Sequence, residues 1–480
     1  MISPEWIIAA QWFFLLYFIG LNSGYILLNL LSYQSLKRYV EEHSLDDLPR
    51  SLSGFEPPVS LLVPAYNEEA TIASSVRSML QMNYPDYEVI VINDGSKDGT
   101  MEALRREFAL VPFPEAYWKR IETKPVRAIY RSTRHPSLRV IDKDNGGKAD
   151  ALNAGINASR YPLFCGVDAD SILERDSLKR VVEPFLENPH TIASGGTVRI
   201  ANGCVVDNGF LVSVGLPANF LALLQIVEYL RAFLFGRLGW SPLNAVLIIS
   251  GAFGLFRKDS VVAVGGYRHD TVGEDMELVM RLHRWHRMRR IPYRIVFVPD
   301  PICWTEAPES LRVLKNQRVR WQRGLCESLT LNLGLLFHPR GGAPGWLAFP
   351  FMALFEWLGP LIEVVGYVFM ISAFAMGIVS AEAFFIFMLV ALGFGLILSV
   401  SALLLEELSF HIYPKPRQLA VLLAVVIIEN FGYRQLNSLW RLWGLLLWMT
   451  RSKGKWGEMT RTAKWQTGTP AAPANRPPAP

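Results

Sequence analysis

Hydrophobic and polar positions divide the chain into three kinds of stretch. Residues 7–31 are apolar almost without interruption, and a helix of that length reaches roughly 37 Å, enough to cross a hydrocarbon core of about 30 Å. From residue 59 to about residue 301, short apolar runs alternate with helical stretches. Residues 59–64, 88–93, 139–142 and 161–168 read as strands, and 69–81 and 149–158 as helices. This alternation predicts an α/β fold with a mostly parallel sheet, whose ligands gather at the carboxyl ends of the strands. Residues 361–379 and 383–405 are again apolar over a spanning length. Residues 419–436 form a third such stretch, weakened by Glu429 and Arg434.

Four segments fit neither period. Residues 105–138 are rich in Arg, Pro and aromatics and read as an irregular insertion at the edge of the sheet, with no function assigned. Residues 211–249 are apolar but broken by Glu228, Arg231, Arg237 and Pro242, which favours a helix on the membrane or in the core over a span. Residues 309–337 are amphipathic and basic at their start, the pattern of a helix at a membrane surface. Residues 440–449 carry tryptophans, which favour the headgroup level.

Composition adds a membrane component: 51% of the 480 residues are hydrophobic. The net charge of +5 arises from 48 basic and 43 acidic residues, a balance that basic residues flanking spans explain and that calls for no nucleic acid. The four cysteines are far apart and form neither a zinc pattern nor a disulfide framework, as suits a reduced, cytoplasm-facing domain. No Lys or Arg precedes residues 7–31, while Lys37 and Arg38 follow them, so a retained anchor is expected, with the chain cytoplasmic from residue 38. The expected organisation is an anchor (1–37), a cytoplasmic catalytic domain (38–308), interfacial amphipathic helices (309–360), membrane helices (361–450), and a tail that is basic and then disordered (451–480). An anchor and three later spans put that tail outside, whereas its Lys and Arg up to residue 464 favour the cytoplasm; the sequence leaves both open.

The candidate chemistry falls at the predicted strand ends. Ala65, Tyr66, Asn67 and Glu68 follow the first strand in a turn that opens a helix, and Asp94 ends the second before Gly95 and Ser96. Gly146, Gly147 and Lys148 stand at a helix entrance, where backbone N–H groups and a lysine suit a diphosphate, without the spacing of a P-loop or a dinucleotide fingerprint. Asp168 and Asp170, one residue apart after an apolar strand, suit a hard divalent cation shared with phosphate oxygens. Glu274 and Asp275 follow Gly273, and Asp275 is a candidate general base or a helix N-cap. Gln317, Arg318, Val319, Arg320 and Trp321 lie on the amphipathic segment, where Arg320 suits a departing diphosphate and Trp321 a sugar face, or both a membrane anchor.

In their order and spacing these pieces resemble the membrane-bound members of glycosyltransferase family 2, the processive β-glycosyltransferases that include cellulose, chitin-oligosaccharide, hyaluronan and poly-N-acetylglucosamine synthases. The resemblance covers residues 57–330 and extends to the anchor and the trailing spans. It rests on Asp94, Asp168 to Asp170, Gly273 to Asp275 and Gln317 to Trp321. It implies a GT-A-type nucleotide-sugar-binding domain joined to a helical membrane region. Ala65, Tyr66, Glu68 and Asp94 would hold the uridine, with Lys148 and Asp168 near the diphosphate. Asp170, with Asp168, would bind Mg²⁺ or Mn²⁺. Asp275, beside Glu274, would deprotonate the acceptor hydroxyl, and Gln317, Arg320 and Trp321 would close over the diphosphate and place the acceptor. Gly273 stands where the commonest pattern has Thr, which removes a hydroxyl and leaves both acids, so activity is expected to survive.

The expected function is therefore a metal-dependent, inverting hexosyltransferase of the cell membrane, multi-pass, with its catalytic domain in the cytoplasm. It would use UDP-N-acetylglucosamine or UDP-glucose to extend a β-linked polysaccharide processively and export it. Its partners would be the UDP-sugar donor, a saccharide acceptor and the lipid bilayer, with accessory export subunits as further candidates. Two other readings are a single transfer to a membrane lipid and a transporter that senses a sugar nucleotide. Glu356, Glu363, Glu429 and Arg434 near or within the spans would line a path or snorkel to the interface.

Overall fold

A computed structural model describes residues 4–44, 54–207 and 210–450. Its centre is one sheet. Strand β1 (Val59–Ala65) is a near-continuous apolar run, as a strand covered on both faces must be. It lies parallel between β2 (Tyr87–Asp94) and β6 (Leu163–Val167), and β5 (Leu138–Lys143) lies parallel to β2. These are the four expected strands, side by side. Strands β3 (Leu110–Pro112), β4 (Val126–Ser132), β7 (Ile172–Leu173), β8 (Thr191–Ile200), β11 (Phe253–Arg257) and β12 (Arg294–Thr305) complete the order β3-β4-β5-β2-β1-β6-β11-β8-β12-β7. Strands β1, β2, β3, β5, β6, β8 and β12 run one way, and β4, β7 and β11 the other. The sheet is thus mixed and mostly parallel. Helices α2 (Ile72–Met79), α3 (Thr100–Phe108), α4 (Lys148–Ala158) and α5 (Ser177–Glu187) connect the strands.

The segment 105–138 differs from expectation, because it contains the end of α3, the edge strand β3 and its antiparallel neighbour β4. Pro112 at the end of β3 is what an edge strand tolerates, and Arg127 and Arg131 stand in the half-exposed β4, so together they hid the alternation. Residues 211–249 contain no span. They begin in a small hairpin, β9 (Val205–Asp207) with β10 (Phe210–Ser213), and continue as α6 (Phe220–Leu230) with Leu224, Leu230, Leu234 and Trp240 buried. Helix α7 (Lys258–Ala263) follows β11, α8 (Glu274–Arg289) precedes β12, and α9 (Leu311–Leu331) follows it.

Among the described residues, three helices are long and apolar enough to cross a membrane: Glu5–Glu41, Ala381–Ser409 and Pro416–Met449. A fourth crossing exists if Pro344–Trp357 and Gly359–Ala375, bent by 45°, form one span. The expected span 361–379 is thus the second limb of a bent pair. Residues 419–436 and 440–449 belong to one element that is broken at Phe431 and Gly432, the latter at φ 112°. The tryptophan-rich stretch is therefore the end of that helix and not a separate interfacial segment. Its Gly444 lets the backbone of α9 at Val319 approach closely, and Trp440 is buried. The basic and Pro/Ala-rich tail lies outside the described residues.

The sheet is fastened to the membrane helices by charge. Arg199 on β8 and Glu406 on Ala381–Ser409 form an ion pair with side chains only 2% and 1% exposed. Removing one member leaves the other buried without its partner, at a cost of about 3–5 kcal/mol. Glu406→Ala is expected to lower the thermal stability of the purified protein in detergent by that order, and Arg199→Met with Glu406→Leu to restore most of it. An unchanged melting curve for Glu406→Ala would show that the pair carries no such load.

Candidate active site

The parallel strands β5, β2, β1 and β6 deliver their carboxyl ends to one side of the sheet, and the candidate residues meet there. The turns after β1 and β2 are laced together. Asn67, at φ 57°, accepts from the Lys97 N–H at 2.8 Å, Glu68 N–H donates to Thr100 Oγ1 at 2.9 Å, and the Glu69 carboxylate accepts from Gly99 N–H at 3.0 Å. Ala65 is buried at the base of this turn and Tyr66 is exposed at its rim. The Glu68 carboxylate accepts from Thr71 Oγ1 at 2.8 Å.

Asp94 is buried, and both of its oxygens are engaged within the protein. Oδ1 accepts from Lys143 Nζ at 2.6 Å and Gly146 N–H at 3.0 Å, and Oδ2 from Gly147 N–H at 2.7 Å. Its carboxylate therefore braces the loop that enters α4. Lys143 has no exposed side-chain surface and is shared between Asp94 and Asp150, each at 2.6 Å. Neither Lys143 nor Asp150 stands out in the sequence, since an isolated Lys at a strand end and an Asp in a first helical turn are ordinary surface features.

Lys148 opens α4 and is the centre of the site. Its ammonium lies 2.5 Å from Asp168 Oδ1, 3.2 Å from the Gly251 carbonyl and 4.0 Å from Glu274 Oε1. Burial works against its charge, but Asp168 and Glu274 outweigh that and raise its pKa above the ordinary lysine value. Burial pushes the Glu274 carboxyl up to about 7; Lys148 opposes the shift and the neighbouring Asp275 adds to it. Asp275 Oδ2 accepts from the Gly251 N–H at 3.0 Å and Oδ1 from the Met276 N–H at 2.8 Å. Gly251 thus bridges the lysine and the acid, and a Cβ there would lie 3.1 Å from Lys148 Nζ and 3.3 Å from Asp275 Oδ2. The sequence signal for it was the small-residue run Ser250, Gly251 and Ala252 ahead of β11, hidden in an apolar stretch.

Helix α9 is clamped to the turn carrying the two acids. A Cβ on Gly273 would meet the Gly324 backbone at 2.9 Å, Val272 N–H donates to Glu327 Oε2 at 2.8 Å, and Ser328 Oγ donates to the Gly273 carbonyl at 3.2 Å. The absence of Thr at residue 273 therefore has a packing reason. Trp321 lies one turn before this contact, about 4.5 Å along the helix, and is 44% exposed. Gln317 is buried with its Oε1 accepting from Arg318 at 2.8 Å, and Arg320 is partly exposed. The helix thus joins the acid turn through glycine and Glu327, and its motif residues stand alongside.

Among the described residues no group of three or more His, Cys, Asp and Glu could hold a metal by itself. Asp168 and Asp170 supply two half-buried carboxylates at the end of β6. That set fits a hard cation such as Mg²⁺, which takes one or two carboxylates and completes its shell with substrate phosphate and water.

The glycosyl transferase family 2 model matches residues 60–261, and the glycosyl transferase family group 2 model matches residues 164–398. The poly-β-1,6-N-acetyl-D-glucosamine synthase of Staphylococcus epidermidis is 30% identical over 272 residues, which are 56% of this chain and 55% of that protein. Its counterpart in Staphylococcus aureus strain COL is 32% identical over 274 residues, with the same shares. The chain thus spans about half the length of these curated relatives. Among solved structures, mannosyltransferase PcManGT from Pyrobaculum calidifontis, in complex with GDP-Man and Mn²⁺, superposes with a TM-score of 0.49 at 19% identity, covering 86% of this chain and 99% of that one. Residues 1–349 of S. aureus TarS give 0.37 at 14% identity, covering 79% and 91%.

Two outcomes are expected from this geometry. Gly273→Thr forces a side chain into the Gly324 backbone and should destabilise the protein by about 1–3 kcal/mol; equal melting curves for wild type and variant would show that the two backbones have room to part. Glu274 titrates higher when folded than the unfolded value of about 4.3. Between that pH and about 7 the folded chain holds a proton that the unfolded chain has released, so stability falls as pH rises through this window. Unfolding followed in detergent from pH 5 to pH 8 should show this loss in wild type and less of it in Glu274→Gln; parallel curves would contradict the burial of this acid.

Proposed function

We propose that this chain, which belongs to glycosyltransferase family 2, is a membrane-embedded inverting glycosyltransferase that extends a β-linked polysaccharide from a UDP-sugar. The observation that carries this reading is the Lys148, Asp168, Glu274 and Asp275 cluster at the carboxyl ends of parallel strands, with α9 locked against its acid turn. UDP-N-acetylglucosamine is the favoured donor and UDP-glucose the second, an order that the names of the staphylococcal relatives support.

In this reading Ala65, Tyr66 and Glu68 take the uridine, and Asp94 shapes the floor beneath it by fixing Gly146 and Gly147. Lys148 and Arg320 face the diphosphate as its charge grows. A divalent cation held by Asp168 and Asp170 would supply further neutralisation of that charge. Asp275 accepts the proton of the acceptor hydroxyl, whose oxygen forms the new bond to the anomeric carbon as the bond to the diphosphate oxygen breaks, so the configuration inverts. The Gly251 N–H orients the Asp275 carboxylate for this task. Trp321 offers its exposed face to the acceptor's terminal sugar.

The acidic groups expected to line a path or to snorkel support export through the membrane region, because they face inward. Glu363 accepts from Ser438 at 2.6 Å, Glu356 pairs with Arg441 at 2.7 Å, and Glu429 accepts from Ser399 at 2.8 Å and pairs with Arg231. Arg434 donates to Asn430 at 2.9 Å. Polar groups gathered inside a helical bundle mark a route or a relay more often than an anchor. The catalytic side of the sheet would then face the cytoplasm, with product passing outward.

Purified protein in lipid, supplied with Mg²⁺ or Mn²⁺ and a series of UDP-sugars, is expected to release UDP and form long product from one donor. Asp275→Asn should lower the rate by about 10²- to 10⁴-fold. Donor binding without transfer by any form would sink the enzymatic reading and favour a sugar-nucleotide sensor, whereas one sugar added to lipid would replace polymerisation with a single transfer.

A further inference from the structure

Arg318 is the one polar member of the Gln317 to Trp321 stretch to which no role is assigned above, and it is almost wholly enclosed, with a side chain 2% exposed. Its guanidinium touches the residues on both sides of it in the motif. Nη1 donates to Gln317 Oε1 at 2.8 Å, and the guanidinium carbon lies 4.3 Å from the centroid of the Trp321 ring. Nη2 donates to Glu228 Oε2 at 2.6 Å. Glu228 is one of the charges that interrupt the apolar stretch before β11, and it has no ordinary reason to be there. Its carboxylate also accepts from Tyr433 Oη at 2.9 Å and Asn437 Nδ2 at 3.3 Å. Burial would raise its pKa, but Arg318 and Tyr433 outweigh that and hold it below the usual carboxylate range. The next residue, Tyr229, packs on Trp321 with ring centroids 6.4 Å apart. Trp321 is thus exposed on one side and held on the other by a planar cation that cannot itself reach a substrate.

We propose that Arg318 and Glu228 are a positioning pair that fixes the Trp321 indole as the platform for the acceptor's terminal sugar. This rests on the reading of Trp321 given above. An indole free to turn about its side-chain bonds would pay orientation entropy at each binding event, and the stacked guanidinium removes that freedom in advance. Arginine suits the task better than lysine because a flat, delocalised cation can stack on a ring and donate in its own plane at once. Glu228 sets the plane of that cation. Tyr433 and Asn437 hold Glu228 from the helices around the Gly432 break, so the sugar platform is referenced to the membrane region as well as to the sheet.

The test is binding of a β-linked N-acetylglucosamine oligosaccharide, and separately of UDP, to the whole protein in detergent. Arg318→Lys and Glu228→Gln are each expected to weaken oligosaccharide binding by about tenfold, with UDP binding changed less than twofold. In a double-mutant cycle, Arg318→Lys should add nothing to Trp321→Ala. If Glu228→Gln does not fold, Tyr433→Phe, which removes one bond to the same carboxylate, is expected to give a smaller loss of the same kind. Unaltered oligosaccharide binding in Arg318→Lys, full additivity with Trp321→Ala, equal losses of UDP and oligosaccharide affinity, or no oligosaccharide binding by wild type would each overturn the proposal. Wild type that binds both probes in this pattern but transfers no sugar would retain the platform and refute the transferase reading alone.

Discussion

The site is organised around one enclosed ammonium among carboxylates. Lys148 reaches Asp168, the Gly251 carbonyl and the edge of Glu274 from the first position of α4, at the end of the loop that Asp94 braces. Without that cation, Asp168, Glu274 and Asp275 would be three acids repelling one another in a partly desolvated space, and the Glu274 carboxyl, already raised to about 7, would be pushed higher still. With it, the two sides of the site are connected: β6 and its pair of aspartates on one side, and the turn leading into α8 on the other. In the reading proposed above, a donor diphosphate would compete with Asp168 for the same ammonium, and binding would exchange one ionic contact for another.

Beneath this lies a second charge cluster, which is buried. Asp94, Lys143 and Asp150 form a buried row that holds the Gly146 and Gly147 amides in place. Both of those N–H groups are taken up by Asp94, so what the helix entrance pre-sets is the position of Lys148 at the start of α4. Gly147 achieves this with φ 88°, a conformation other residues adopt at a cost, and Asp94 keeps it from relaxing.

Much of this was legible in the sequence because strand ends are marked by abrupt changes of polarity. The apolar runs before Ala65, Asp94, Lys143 and Asp168 marked four neighbouring strands and the side on which ligands would meet. The outer strands β3 and β4 were not legible, since β3 is only three residues long with one neighbour and β4 is half-exposed along its length, so neither carries much apolar periodicity. The packing roles of Gly251, Gly273 and Gly324 could not be read for another reason: each has no side chain where two backbones or two functional groups approach, and nothing local records what stands opposite. The division of labour between Arg318 and Arg320 was hidden likewise, because enclosure depends on Glu228, 90 residues away in the chain.

Helix α9 is held on two of its sides by contacts without intervening side chains. One is Gly324 against Gly273, and the other is Gly444 of the Arg434–Met449 helix against the Val319 backbone. Side chains cushion most helix contacts by changing rotamer, but backbone contacts cannot be cushioned in that way. A tilt of the last helix, of the kind a thicker or thinner bilayer imposes, would therefore move α9 as a rigid strut and shift the acid turn with it. The lipid composition around the protein is in this sense part of the geometry at the reacting atoms.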